Sequence, residues 1–204
     1  MPERRDLFEA NPDDTREAIM KATYDALSRH GYADLTIQRI GDEFDKSKSL
    51  LYHHYDSKDA LLVDFLSFML ERMEGTIPLE QADAADERLR IGFDHVISEI
   101  IDGDRQDFNR AMTELRAQSA HDDAFCEQFS KNDRYFEQRV RVILEAGIDQ
   151  GLFHDVDTEQ VASMLVTIIQ GATFQATTST EPDLEAVRAE LDAYIESRLL
   201  VDDA

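Results

Sequence analysis

From about residue 15 to residue 200 the apolar side chains return every three or four positions, and little interrupts them: only four prolines (Pro2, Pro12, Pro78, Pro182) and eight glycines punctuate 204 residues. Residues three and four apart share one face of an α-helix, whereas a half-buried strand needs alternation at two. The expectation is an all-α fold with little support for strands. Hydrophobic residues make up 42% of the chain, enough for a real core.

Cap and stop residues divide the pattern. A first helix begins after Asn11-Pro12-Asp13-Asp14, with Asp13, Asp14 or Thr15 as its cap, and runs through Ile19, Ala22, Thr23, Ala26 and Leu27 to Gly31. Thr36 caps a short second helix with Ile40 and Phe44 inward, and Ser47 caps a short third one with Leu51 and Tyr55 on its buried side. Ser57 opens a long apolar fourth helix (Leu61, Leu62, Phe65, Phe68, Met69) that stops near Gly75 to Pro78. Further helices are expected at 83–102, 105–120, 124–149, 157–178 and 183–200, with breaks at Asp102-Gly103, His121-Asp122-Asp123, Gly151 and Glu181-Pro182.

Charge is distributed unevenly. The chain holds 21 basic and 44 acidic residues, net −23, a balance that usually argues against a nucleic-acid partner. Arginine outnumbers lysine 16 to 5, tryptophan is absent and acids occur in nearly every segment, a surface habit of proteins from concentrated salt. Under that reading, with a merely acidic protein from a mesophile as the alternative, the charge reports habitat, and stability should rise with molar KCl. Residues 1–60 carry net −4 and the remaining 144 carry net −19, so the first sixty present a different surface. Three of the five lysines, Lys46, Lys48 and Lys58, fall within DKSKSLLYHHYDSK at 45–58.

Two short helices joined by a tight turn, Phe44-Asp45-Lys46, have the geometry of a helix-turn-helix, whose second helix enters the DNA major groove. Lys46, Lys48, Ser49, Tyr52 and His53 lie on its outer side or just before it, where ammonium and hydroxyl groups anchor phosphates and the first residues reach base edges. Leu50 is either partly buried or an apolar contact for a thymine methyl.

Residues 16–62, REAIMKATYDALSRHGYADLTIQRIGDEFDKSKSLLYHHYDSKDALL, resemble the N-terminal domain of the TetR family of transcriptional regulators. The matching positions are Arg16, Gly31-Tyr32, Thr36, Ile40-Gly41, Ser47, Leu51-Tyr52, His54-Tyr55, Lys58 and Leu61, in fixed order over 47 residues. The sequence departs from the family at the turn and at Leu50. The resemblance implies that Lys48, Ser49, Leu50 and Tyr52 face bases, while Thr36, His53, His54 and Lys58 approach the DNA backbone. Lys46 and Ser47 complete the expected DNA-binding set.

The resemblance also implies two domains: 1–62 for double-stranded DNA, and 63–204 for an unidentified small-molecule effector and homodimerisation. One apolar stripe (Val161, Leu165, Ile168, Ala172) and another (Leu184, Leu191, Ile195) suit a four-helix dimer interface. Aromatic and Met residues of the middle helices, Phe93, Phe108, Met112, Phe129 and Phe136, are candidates for an effector pocket. The functional expectation is a ligand-responsive repressor that binds a palindromic operator as a homodimer. A helical ligand-binding or scaffold protein without operator recognition is the rival.

Other classes fare poorly. Cys126 is the only cysteine, there is no G-x-S-x-G, no phosphate-cradling glycine loop and no H-E-x-x-H, and adjacent His53 and His54 point about 100° apart on a helix. No enzyme activity, metal or cofactor is expected. The longest mostly apolar stretch, VASMLVTII, is well short of the roughly 20 residues that span a bilayer, so no membrane partner and a cytoplasmic location are expected.

Overall fold

The computed structural model describes Phe8 and residues 14–73, 82–101 and 106–201. Within them the chain forms α1 (Thr15–His30), α2 (Ile37–Asp42), α3 (Lys48–His54), α4 (Lys58–Met73), α5 (Ala85–Ile101), α6 (Gln106–Gln118), α7 (Asp123–Asp149), α8 (Thr158–Thr178) and α9 (Leu184–Tyr194). A π-helical turn, Ile195–Leu199, follows α9. The described residues hold no strand, only an isolated bridge between Phe153 and Leu200. The all-α expectation stands. The Asp13 cap, the Gly75 to Pro78 stop and the Asp102-Gly103 break lie outside the described residues.

Caps fix most of the helix starts. The Asp14 side chain accepts from the Arg16 N–H, and Thr36 accepts from the Arg39 N–H at 3.1 Å. Ser57 accepts from Ala60, Asp122 from Ala124 and Phe125, Asp157 from Gln160, and Asp183 from Ala186. Each satisfies an N–H that the helix itself leaves without a partner. Ser47 stands at the cap position of α3 but its hydroxyl does not cap; it lies 2.8 Å from the Ser49 hydroxyl instead.

Two compact units result. The first comprises residues 1–76 and 107–129. Its core joins Ile19, Met20, Ala26 and Leu27 of α1, Ile40 of α2, Leu51 of α3, Leu61, Leu62, Phe65 and Leu66 of α4, and Phe108, Ala111 and Leu115 of α6. Fully burying one such side chain contributes on the order of 1.5–3 kcal/mol, so this cluster fixes where α3 sits. The second unit comprises residues 77–106 and 130–204. Its core is built from Leu89, Phe93 and Ile97 of α5, Ile143 and Leu144 of α7, Val161, Ala162 and Leu165 of α8, Leu191 of α9, and Ile195 and Leu199 of the π turn.

Candidate nucleic-acid interface

The third helix is held from beneath and open above. Leu51 is fully buried, while Leu50 is 36% and Tyr52 57% exposed. Ser47, Lys48, Ser49, His53 and His54 are also exposed, as is Thr36 at the start of α2. His54, which the family resemblance sets toward the DNA backbone, is exposed, with its ring 5.9 Å from that of His53. Both histidines occupy the last turn of α3, where a cation would complement the helix dipole.

Tyr55 ends α3 and ties it down. Its half-buried ring packs on the first core, and its hydroxyl donates to Asp64 of α4. The same carboxylate receives two hydrogen bonds from Arg16 of α1, Nη2 to Oδ1 at 2.7 Å and Nε to Oδ2 at 3.2 Å. Burial alone would raise the Asp64 carboxyl; the hydrogen bonds from Arg16 and Tyr55 and the guanidinium charge outweigh it and hold the group below its usual range. Burial, followed by the bond to Asp64, pushes the Tyr55 phenol up. The Arg16 guanidinium also sits 5.3 Å from the Phe68 ring centroid. Three helices therefore meet on one carboxylate, and the outward face of α3 depends on it.

Lys58, the first residue of α4, holds its ammonium 4.3 Å over the Tyr32 ring. Tyr32 is itself fixed by its backbone N–H, which donates to Glu114 of α6 at 2.9 Å. The phenol of Tyr32 is pushed up by burial and then by Asp59 and Asp122. Lys48 pairs with Asp42 across the turn between α2 and α3. Lys46 is half-exposed in that turn.

The ten expected DNA-binding residues thus lie on α2, α3, their turn and the start of α4, all within the first unit. Sequence reading missed the residues that position them. Asp64 stands 48 positions from Arg16 and Glu114 82 from Tyr32, and an acidic residue on a helix carries no local signal of so distant a bond.

The expected pocket residues are not brought together in one core. Phe108 and Phe129 are buried in the first core with Met112 packed against it, Phe93 belongs to the second, and the Phe136 ring meets Tyr135 edge-on with centroids 5.4 Å apart. The expected dimer stripes face the chain's own interior. Val161, Leu165, Ala172, Leu184, Leu191 and Ile195 are buried within the single chain, and Ile168 packs against the second core. Helical period marks an apolar face without saying whether the chain or a partner covers it.

Among the described residues no group of three or more His, Cys, Asp or Glu could hold a metal ion, and no helix is long and apolar enough to cross a membrane. An outward helix flanked by lysines, hydroxyls, an exposed tyrosine and two histidines can make phosphate and base contacts, and DNA is the ligand it fits.

Known proteins agree with that geometry. The description "Bacterial regulatory proteins, tetR family" matches residues 19–65, and "BetI-type transcriptional repressor, C-terminal" matches residues 81–200. A TetR transcription regulator from Haloarcula marismortui is 38% identical, with 90% of this chain and 97% of that one covered and a TM-score of 0.79. The HTH-type transcriptional repressor AcnR of Corynebacterium glutamicum is 25% identical over 162 residues, 78% of this chain and 80% of that protein. A transcriptional regulator from Saccharomonospora viridis, solved in complex with choline, shares the fold at 20% identity, 93% and 100% coverage and a TM-score of 0.76. The chain belongs to the TetR family of transcriptional regulators.

Proposed function

We propose that this regulator is a homodimeric repressor that binds a roughly palindromic operator through α3 and releases it when a small molecule binds the C-terminal helices. The observation that carries the reading is the two-sidedness of α3, with Leu51 buried and Tyr55 anchored to Asp64 while Ser49, Leu50, Tyr52 and His53 face outward. Residues 1–62 are assigned the DNA contacts and residues 63–204 effector binding and dimerisation, a division supported by the separate matches at 19–65 and 81–200, with 63–76 and 107–129 packing in the first unit as the support of the DNA-binding helices.

The dimer surface is assigned to the outward faces of α8 and α9. Met164 and Phe174 are exposed large apolar residues on α8, and a Cβ on Gly171 between them would meet open space. Ala186, Ala189, Ala193 and Ser197 make an exposed strip of small residues along α9 and the π turn. Small side chains let helix backbones approach closely, and two such helices from each subunit form a four-helix contact with two-fold symmetry.

A titration of the full chain against the DNA upstream of its own gene tests the reading. Retention that small molecules reverse supports it, with choline a first probe because the Saccharomonospora viridis neighbour binds it. Absence of retention at low salt would leave a helical binding protein as the better description.

A further inference from the structure

We propose that Asp42 stands in for a DNA phosphate in the free protein, holding Lys48 until DNA displaces it, so that complex formation takes up a cation at Asp42 and flattens the salt dependence of binding. The proposal rests on α3 being the DNA-reading helix.

Asp42 is the last residue of α2 and Lys48 the first of α3, so their ion pair bridges the turn between the two helices. Room for it comes from Gly41. A Cβ there would lie 3.3 Å from both Cγ and Cδ of Lys48, tighter than ordinary van der Waals contact, and its nearest neighbours beyond its own stretch of helix are all atoms of Lys48. Glycine inside a helix is unfavourable relative to alanine, and here its missing methyl spares the lysine stem a shift of a few tenths of an ångström as it lies across α2 toward Asp42.

The pair is also easy to open. The two side chains are 48% and 58% exposed, and an ion pair of that kind is weak and screened by salt. Neighbouring phosphates on a duplex outbid one carboxylate for the ammonium. Once Lys48 turns to DNA, the Asp42 carboxylate is left beside a polyanion and recruits a solution cation. That uptake opposes the counterions that the lysine releases from DNA, about 0.9 for each phosphate neutralised. The net contribution of Lys48 to the salt slope is therefore near zero, and binding survives an increase in KCl that would weaken an unguarded lysine.

The test measures affinity against KCl concentration for the full chain on a labelled duplex from upstream of its gene. Asp42→Asn should bind several-fold tighter at low salt and steepen the slope of log K against log salt by about 0.9, or roughly eightfold in affinity over a tenfold change in KCl. Gly41→Ala crowds the lysine stem without changing any charge and should tighten binding at low salt by less, with the slope unchanged. In a Lys48→Gln background the Gly41→Ala effect should vanish, and Asp42→Asn should keep its slope change but lose most of its low-salt tightening. An unchanged slope or weaker binding by Asp42→Asn would overturn the proposal and make the pair a brace for the turn. So would full low-salt tightening by Asp42→Asn without Lys48, which would show general repulsion of DNA. If neither the parent nor Asp42→Asn binds DNA at low salt, the α3 reading itself fails and the proposal with it.

Discussion

Arg16 and Asp64 form a two-pronged ion pair, 2.7 and 3.2 Å, between the first turn of α1 and the first half of α4. The free carboxylate capacity goes to the Tyr55 hydroxyl at the end of α3. A carboxylate placed this way is a positioning group for the reading helix, and its removal strands a guanidinium and a phenol at once.

Asp64→Asn should lower stability at neutral pH and weaken DNA binding more than an exposed substitution such as Asp59→Asn. The pH dependence has a definite sign. The Asp64 carboxyl is held below its unfolded value of about 4, so its contribution is present above that pH and is lost as pH falls through the folded value. Urea unfolding of both proteins at a series of pH values, at constant KCl, should show their stabilities converging below pH 4; a gap of constant size would show that Asp64 acts through packing alone.

Gly147 faces the Phe153 ring so closely that a Cβ would sit 2.0 Å from Phe153 Cδ2. The segment it supports includes the Phe153 N–H to Gly147 carbonyl bond at 3.1 Å and the His154 N–H to Leu199 carbonyl bond at 2.7 Å. Gly147→Ala should cost about 1–3 kcal/mol by overpacking, and Phe153→Leu should recover part of that loss. Denaturant unfolding of the two single variants and the double variant measures the coupling. Additive losses would contradict the contact.

Phe174, 58% exposed, and Leu165, fully buried, sit on opposite sides of α8. Phe174→Glu should give a folded monomer in sedimentation equilibrium with secondary structure intact. Leu165→Ala should instead reduce folding stability by about 2–5 kcal/mol and leave the association of the folded chain unchanged. The reverse pattern would return the dimer contact to the inner stripe.

Lys58 reaches from the start of α4 over Tyr32. Lys58→Gln should weaken binding to all DNA sequences alike and reduce the salt slope by about one, the signature of a phosphate contact. Discrimination between operators by this variant would move Lys58 from the backbone to the bases.

The sequence made the helices legible because their ends are written locally. Asp14, Thr36, Ser57, Asp157 and Asp183 sit where an oxygen can take an unpaired N–H, and the apolar spacing does the rest. The outward set on α3 was legible from spacing, as Ser49 and His53 fall opposite Leu51 with Lys48 and Tyr52 on its flanks. What packs against what was not. Phe108 and Phe129, expected as pocket residues, lie in the core beneath the helix-turn-helix, and period says nothing about which helix comes alongside. The inner stripes of α8 and α9 read as a dimer face because a covered surface looks the same whoever covers it. Ser47 had the right place and the right oxygen, yet the hydroxyl of Ser49 two residues on took it.

A hydroxyl-radical footprint of the full chain on the DNA upstream of its gene tests the central claim most directly. The account predicts two protected half-sites on one face of the duplex, about 35 Å or a multiple of that apart, as two α3 helices related by two-fold symmetry require. Tyr52→Ala should lose that specific pattern while the protein stays folded. A single unpaired site, no protection at low salt, or a footprint indifferent to Tyr52 would contradict it.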